Sequence, residues 1–342
     1  MNKPDKILVI RNDKLGDFML AWPSYALIKK QYPEATITAL VPEYTAPMAE
    51  QCEWIDTVLI DKKTGSFFGD TSRLSKIIKR ENFDVSISLF SELRTAVSLW
   101  AAGVKVRVGP ATKFAQIFLN QRLRQKRSRS LKPEFQYNLD LIRFYIDLNH
   151  DVPVDDVQPP YLTFDAGEID SLRKKMVDEQ HVPVDAYIIL LHPGSGGSAI
   201  NLTLEQYSAL ARHIAENSNA YFVITAGPDE LATAEELSKL LQDTKHHIHL
   251  SSTGILDFCK LINICDVFIS GSTGPLHIAG ALNVCTVAFY PARRSATALR
   301  WQTLNSAEKR ICFSPETYTG ENDMEKIDVQ KAADQIVDKF LH

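Results

Sequence analysis

A carboxylate placed for proton transfer follows the first apolar run of the chain. Residues 11–17 read RNDKLGD and come directly after KILVI, residues 6–10. Because Gly16 permits a tight turn, we expect Asp17 at the start of the next helix. There its carboxylate could take a proton from an acceptor hydroxyl, or it could only cap the helix by accepting from free backbone N–H groups. The spacing is not GxGxxG, which argues against an NAD-linked enzyme.

Two glycine-rich loops are candidates for holding a phosphate. HPGSGGS, residues 192–198, follows the apolar run YIILL, and GSTGPLH, residues 271–277, follows VFIS and opens a helix. Small residues in both loops leave room for backbone N–H groups to approach an anion. They are Ser195, Gly196, Gly197, Ser272, Thr273 and Gly274. The first loop lacks the GK[ST] ending of a P-loop and could be only a flexible turn. His277 is expected one turn into the helix, in either a structural or a donor-binding role.

A third loop, AGPDE at residues 226–230, places two acids after a strand and a glycine. Asp229 or Glu230 could accept a hydrogen bond from a ribose hydroxyl, as acids do in nucleotide-binding folds. Equally, both acids could only complement the positive end of a helix.

Residues 113–132 are strongly basic, although the chain has a formal net charge of −4. The cations from residue 122 onward are Arg122, Arg124, Lys126, Arg127, Arg129 and Lys132. They could form an ordinary solvated face, or bind a phosphorylated or carboxylated acceptor or anionic lipid headgroups. Nucleic acid is disfavoured, because no aromatic residues are interleaved with these cations.

The elements that would position these loops follow a repeated pattern. Short apolar runs alternate with longer amphipathic ones twice along the 342 residues, with a proline-rich, acidic linker at residues 151–164. This pattern predicts an α/β protein with two doubly wound, Rossmann-like domains, 1–160 and 161–342. Ligands bind at the carboxyl ends of such strands, so two facing sheets would form one interdomain cleft. We also leave open that the last helix packs back on the first domain.

Cofactor and localisation signals are sparse. The five cysteines are scattered without a CxxC pair, and there is no DxD pair or His/Cys cluster with ligand spacing. We therefore expect no metal and no cofactor. The N-terminal apolar run is too short for a signal peptide or a membrane span, which predicts a cytoplasmic protein. Peripheral contact with the inner face of the cytoplasmic membrane remains compatible with this expectation.

In their order along the chain, RNDKLGD, HPGSGG, AGP with its acids and GSTGPLHIAGAL resemble the bacterial ADP-heptose:lipopolysaccharide heptosyltransferases of glycosyltransferase family 9. The resemblance runs over nearly the whole chain. It implies a GT-B fold, with the acceptor on the first domain and the nucleotide sugar on the second. It further implies inverting, metal-independent transfer of a heptose, with ADP-heptose as donor and a lipopolysaccharide core or lipid A precursor as acceptor.

The resemblance also implies roles for individual residues. Asp17 matches the general base, and the donor-binding positions are Ser195, Gly196, Asp229 or Glu230, Ser272, Thr273, Gly274 and His277. From the loops themselves, and not from the resemblance, we add Gly197 to the donor side and expect Lys14, Arg122, Arg124 and Lys126 on the acceptor side.

Two departures from the family pattern concern charge on the donor side. Ile200 stands where many members carry a lysine, and Ser272 stands where many carry an acid. Our hypothesis is that Lys14, Arg293 or Arg294 supplies the missing cation. Two alternatives remain at this point: a nucleotide-sugar 2-epimerase of the same fold, which would form isomers without an acceptor, and a non-catalytic protein that binds a nucleotide sugar.

Overall fold

The computed structural model describes residues 4–194, 200–317 and 323–341. The chain divides into two compact units, Met1–Gln158 and Pro159–His342. The division falls inside the proline-rich segment 151–164. Each unit contains one six-stranded parallel sheet flanked by helices, so the predicted α/β class is confirmed.

The first unit alternates strands and helices from its first strand onward. Its strands are β1 Lys6–Ile10, β2 Thr36–Val41, β3 Thr57–Ile60, β4 Val85–Ser88, β5 Val106–Pro110 and β6 Gln121–Leu123. Its helices are α1 Leu15–Met19, α2 Trp22–Gln31, α3 Ala46–Glu50, α4 Phe67–Glu81, α5 Leu93–Ala101 and α6 Glu134–Leu148. Short 3₁₀ helices cover Glu43–Thr45, Phe114–Phe118 and Arg127–Arg129.

The second unit follows the same alternation. Its strands are β7 Tyr187–His192, β8 Ala220–Ala226, β9 His246–Leu250, β10 Val267–Gly271, β11 Cys285–Phe289 and β12 Arg310–Phe313. Its helices are α7 Ala166–Gln180, α8 Leu204–Asn217, α9 Leu231–Leu240, α10 Ile255–Ile264, α11 Gly274–Ala281 and α12 Val329–Phe340. Short 3₁₀ helices cover Pro228–Glu230, Arg294–Ala296, Ala307–Lys309 and Asp323–Lys326.

Both sheets have the doubly wound strand order. The first reads β3-β2-β1-β4-β5-β6, and the second reads β9-β8-β7-β10-β11-β12. In each unit the order reverses beside the first strand, between β1 and β4 and between β7 and β10. Ligands of open α/β sheets bind at the carboxyl ends of the strands at this reversal. The loops after β1, β7 and β10 are those that carry RNDKLGD, HPGSGGS and GSTGPLH.

The central strands are apolar because helices cover both faces of each sheet. In β1, Ile7 pairs in register with Ile37 of β2 and Val85 of β4, and all three side chains are buried. In the second unit, α12 packs against α8, and Ala333 and Ile336 of α12 lie in that unit's own core.

Candidate functional site

A buried arginine organises the carboxyl end of β1. Arg11 is only 2% exposed, and its guanidinium donates to three carboxylates and one amide. Nε donates to Asp13 Oδ1 at 2.8 Å, Nη2 donates to Asp17 Oδ1, and Nη1 donates to Glu134 Oε1 at 3.0 Å and Asn138 Oδ1 at 3.1 Å. Asp17 is thus held by an ion pair at the point where a ligand of this sheet is expected.

The surroundings of Asp17 raise its proton affinity. Burial raises the pKa of Asp17 to about 6, Arg11 opposes the shift, and the neighbouring carboxylates Asp13 and Glu134 add to it. A pKa near the working pH is what a general base requires. Burial alone would lower the pKa of Arg11, but the three carboxylates raise it above its ordinary value, so Arg11 remains a cation.

Asp17 does not act as the helix cap. The residue before α1 is Lys14, and no side chain makes the capping hydrogen bond. Asp17 lies inside the first turn of α1, and its carboxylate is directed to Arg11. Of the two roles considered for Asp17, the structure therefore excludes helix capping, and its carboxylate faces other side chains.

A second polar network fixes the loop that carries Asp17. Asn12 Nδ2 donates to Asp61 Oδ2 at 2.6 Å and to Glu92 Oε2 at 2.9 Å. Arg94 pairs with both of those carboxylates. Tyr44 donates its hydroxyl to the Asp13 carbonyl at 2.7 Å. The loop after β1 is consequently anchored to residues that follow β2, β3 and β4.

The basic segment reaches this cluster through Arg127. Arg127 Nη1 donates to Glu134 Oε1 at 2.7 Å, the same oxygen that accepts from Arg11. Arg122, Arg124 and Lys126 are exposed and make no ion pair within the described parts of the chain. Lys14 is exposed at the start of α1.

In the second unit, Asn201 connects the ends of β7 and β10. Its Nδ2 donates to the Pro193 carbonyl at 2.7 Å and to the Gly194 carbonyl at 3.1 Å. Its Oδ1 lies against Gly271, where a Cβ atom would overlap it. The two loops predicted to bind a phosphate are thus joined at their first residues by one side chain.

The loop after β10 leaves the start of α11 without a side-chain cap. Thr273 is the N-cap residue, but its hydroxyl lies 2.9 Å from Ser270 Oγ and makes no capping hydrogen bond. Ser272 and Gly274 are partly exposed. An uncapped helix start is a binding position for an anion, because its N–H groups and the helix dipole both favour negative charge.

His277 is buried one turn into α11. It is 3% exposed, and its ring centroid lies 6.4 Å from that of Trp301. Burial lowers the pKa of His277 to about 4, so the imidazole is neutral at physiological pH. His277 can therefore offer a hydrogen bond but not a positive charge.

Of the acids after β8, Glu230 turns towards the loop after β7. Its carboxylate accepts from the Gly227 N–H at 3.2 Å and lies against Gly194. Burial lowers the pKa of His192 at the end of β7, and the charge of Glu230 opposes that shift. Asp229 is exposed on the 3₁₀ helix Pro228–Glu230.

Three predicted donor residues, Ser195, Gly196 and Gly197, lie outside the described residues. Arg293 and Arg294 are exposed after β11, at the same edge of the sheet as the loop after β10. Ile200 is 38% exposed and Asn201 follows it directly. Within residues 4–194, 200–317 and 323–341, no group of three or more His, Cys, Asp or Glu could hold a metal ion.

The sequence motifs indicate no role for several residues that the structure brings into these clusters. They are Arg11, Asn12, Glu134, Asn138 and Asn201. Arg127 belongs to the basic segment, but its pairing with Glu134 is visible only in the structure. One signal was available: Glu134 and Asn138 are four residues apart on α6, which places two polar side chains on one helix face.

The model of glycosyltransferase family 9 (heptosyltransferase) matches residues 71–328, about three quarters of the chain. The chain belongs to this family. The predicted resemblance is therefore confirmed, and this member of glycosyltransferase family 9 is an enzyme.

Individual relatives agree with the family assignment. A Haemophilus influenzae protein named only as a glycosyltransferase is 44% identical, over 91% of this chain and 89% of that one. The lipooligosaccharide heptosyltransferase 2 of the same organism is 26% identical, over 83% and 82%. The structure of the Escherichia coli ADP-heptose lipopolysaccharide heptosyltransferase II matches with a TM-score of 0.75 at 18% identity, covering 97% of both chains, and confirms the predicted GT-B fold.

Because Gly271 lies so close to Asn201, we predict that Gly271→Ala lowers the stability of the protein. Gly271→Ala would force a Cβ against Asn201 Oδ1, and overpacking of this kind typically costs about 1–3 kcal/mol. We expect the melting temperature to fall by a few degrees, on the order of the shift that such a cost produces.

Two comparisons make this test specific. Adding Asn201→Ala removes the overlap, so the double variant should melt close to Asn201→Ala alone. Gly167→Ala, at an exposed position in the first turn of α7, should not lower the melting temperature, because only the end of the Asp165 side chain lies near the added Cβ. Equal melting of Gly271→Ala and the wild type would show that the contact does not constrain these loops.

Proposed function

We propose that this enzyme transfers a heptose from ADP-heptose to the core of lipopolysaccharide, with inversion at the anomeric carbon and without a bound metal. The observation that carries the proposal is Asp17, a carboxylate with a raised pKa held at the switch point of the first sheet. The family assignment supports glycosyl transfer, and the names of the relatives support the donor and the acceptor.

The proposed reaction is a single displacement. Asp17 accepts the proton of an acceptor hydroxyl, and that oxygen attacks the anomeric carbon of the heptose. The bond from this carbon to the diphosphate oxygen breaks, and the nucleoside diphosphate leaves with the electron pair. One displacement inverts the anomeric configuration, which NMR of the product would report.

The donor side needs positive potential for the leaving diphosphate. The uncapped start of α11 at Ser272, Thr273 and Gly274 supplies it through backbone N–H groups and the helix dipole. His277, neutral at physiological pH, adds a hydrogen-bonding group one turn along the same helix. Glu230 lies against the loop after β7, and we assign its carboxylate to a ribose hydroxyl of the donor. Asp229, which is exposed on the neighbouring turn, is the alternative partner for that hydroxyl.

Exposed cations outside the start of α11 would balance the remaining negative charge of the donor and the acceptor. Arg293 and Arg294 are exposed at the carboxyl edge of the second sheet, and we assign them to the donor phosphates in place of the lysine that Ile200 replaces. Lys14, Arg122, Arg124 and Lys126 belong to the first unit, and we assign them to the anionic acceptor.

Binding of the free nucleotide tests the donor. At a ligand concentration of about 100 times Kd, binding stabilises the native state by about 2.7 kcal/mol, which raises the melting temperature by several degrees. We expect ADP to give this response, and UDP, GDP and CDP to give little. In the variant carrying both Arg293→Ala and Arg294→Ala, the response to ADP should shrink.

The control for that variant is Arg80→Ala, which removes an exposed cation from α4 of the first unit. It should respond to ADP like the wild type. A response to UDP or GDP in place of ADP would contradict the proposed donor. An unchanged response of the double variant would contradict the role of the two arginines.

A further inference from the structure

One stretch of the first unit combines many Lys and Arg residues with exposed apolar side chains. Residues 93–133 contain ten Lys or Arg and no Asp or Glu, in a chain whose acids outnumber its Lys and Arg. The part from 113 to 132, which we call the basic edge, forms the 3₁₀ helix Phe114–Phe118, the terminal strand β6 and the 3₁₀ helix Arg127–Arg129.

The cations of the basic edge fall into two groups. Arg127 pairs with the buried Glu134, and Lys132 pairs with Asp140 at the surface. The remaining cations are exposed and have no ion pair among the residues that the structure describes. They are Lys113, Arg122, Arg124, Lys126 and Arg129. Arg122 and Arg124 lie two residues apart along β6 and its continuation, so strand geometry directs them to the same side.

Apolar side chains project from the same segment. The 3₁₀ helix Phe114–Phe118 is anchored on one side by Ala115, which is buried, while Phe114 is 79% and Ile117 is 67% exposed. Residues three apart in a 3₁₀ helix eclipse one another, so Phe114 and Ile117 form one outward pair. Leu131, at the other end of the basic edge, is 68% exposed.

We propose that the basic edge docks this enzyme on an anionic lipid bilayer, with Phe114, Ile117 and Leu131 inserted at the headgroup level. Single exposed apolar residues are ordinary on soluble proteins. Here they share a segment with no acid and with five cations that form no ion pair within residues 4–194, 200–317 and 323–341, which is the composition of surfaces that lie on anionic membranes. Two copies of this surface would repel each other, which disfavours a second chain as the occupant.

The docking also has a geometric consequence for the proposed reaction. Arg127, at the end of the basic edge, shares Glu134 with Arg11, and Arg11 pairs with Asp17. A bilayer against the basic edge would therefore lie near the proposed base, where a lipid-anchored acceptor has to be held. The same cations, Arg122, Arg124 and Lys126, would then meet both the headgroups and the anionic part of a lipid-anchored acceptor, so the two roles are compatible. The vesicle experiment below needs neither donor nor acceptor.

Cosedimentation of the full chain with vesicles tests the inference. We expect binding to phosphatidylcholine vesicles that contain about one third phosphatidylglycerol, little binding to pure phosphatidylcholine, and weaker binding as salt rises. Each cation near an anionic surface contributes roughly a fivefold change in affinity, so Arg122→Gln with Arg124→Gln should weaken binding about 25-fold. Phe114→Ser with Ile117→Ser should weaken it roughly tenfold or more.

Matched variants elsewhere provide the controls. Lys174→Gln with Lys175→Gln removes two exposed cations from α7, and Val184→Ser removes an apolar side chain that is 85% exposed. Both should bind vesicles like the wild type. Equal binding to neutral and anionic vesicles, no binding to either, or unchanged binding of both basic-edge variants would overturn the inference. Because no nucleotide is present, such a result leaves the nucleotide melting experiment as a separate test of the proposed function.

Discussion

Replacing Asp17 with Asn is expected to lower turnover by about 10²–10⁴-fold, the range that a general base typically contributes. The amide keeps the size of the carboxylate and can still accept the hydrogen bond from Arg11. We therefore expect the variant to melt near the wild-type temperature. The control is Asp140→Asn, which removes an aspartate of the same unit that pairs with Lys132 and Arg143 on the surface.

The pH dependence gives this prediction a second readout. The base works only when its proton is absent, so kcat/KM should rise with pH through the raised pKa of Asp17, about 6, and then level off. The limb below pH 6 should be absent from the residual activity of Asp17→Asn. Near-normal turnover of a folded Asp17→Asn enzyme would remove Asp17 from the mechanism.

Replacing Arg11 with Met is expected to cause the largest loss of stability. Removing one partner of a buried ion pair typically costs about 3–5 kcal/mol, because the charge left behind is uncompensated. Here three carboxylates, Asp13, Asp17 and Glu134, would lose their shared cation. For a unit of this size, the expected fall in melting temperature is about 10 °C.

Two variants set the scale for this result. Arg11→Lys keeps the charge but not the five N–H donors of the guanidinium, so its loss should be intermediate. Arg143→Met breaks a partly exposed pair with Asp156, and exposed pairs are worth about 0–1 kcal/mol. If Arg11→Met and Arg143→Met melted alike, Arg11 would not be the centre of the cluster.

The fold was predictable because its signals are local. KILVI in β1 and YIILLH in β7 are continuous apolar runs, as two-sided burial in a parallel sheet requires. Each is followed by a polar or glycine loop, and the alternation with amphipathic segments gives two doubly wound sheets. The position of GSTGPLH between β10 and α11 is predictable for the same reason.

The candidate site was predictable only in part, because its contacts are long-range. Asp17 could be singled out from the loop after β1, but its surroundings depend on Glu134, which is 123 residues from Arg11 in the chain. No local pattern shows that α6 returns to β1. Likewise, Asn201 follows Ile200, which stands where many family members carry a lysine, and only the folded sheet brings the Asn201 side chain to Gly271.

The measurement that tests the central claim most directly is transfer itself. The wild type and Asp17→Asn would be incubated with ADP-heptose and a lipopolysaccharide core that lacks heptose, and the acceptor analysed by mass spectrometry. We predict that the wild type adds the mass of one heptose residue, that ADP is released in equal amount, and that Asp17→Asn does so at least about 100-fold more slowly. Equal rates for the two proteins, or no gain in acceptor mass with the wild type, would contradict the account.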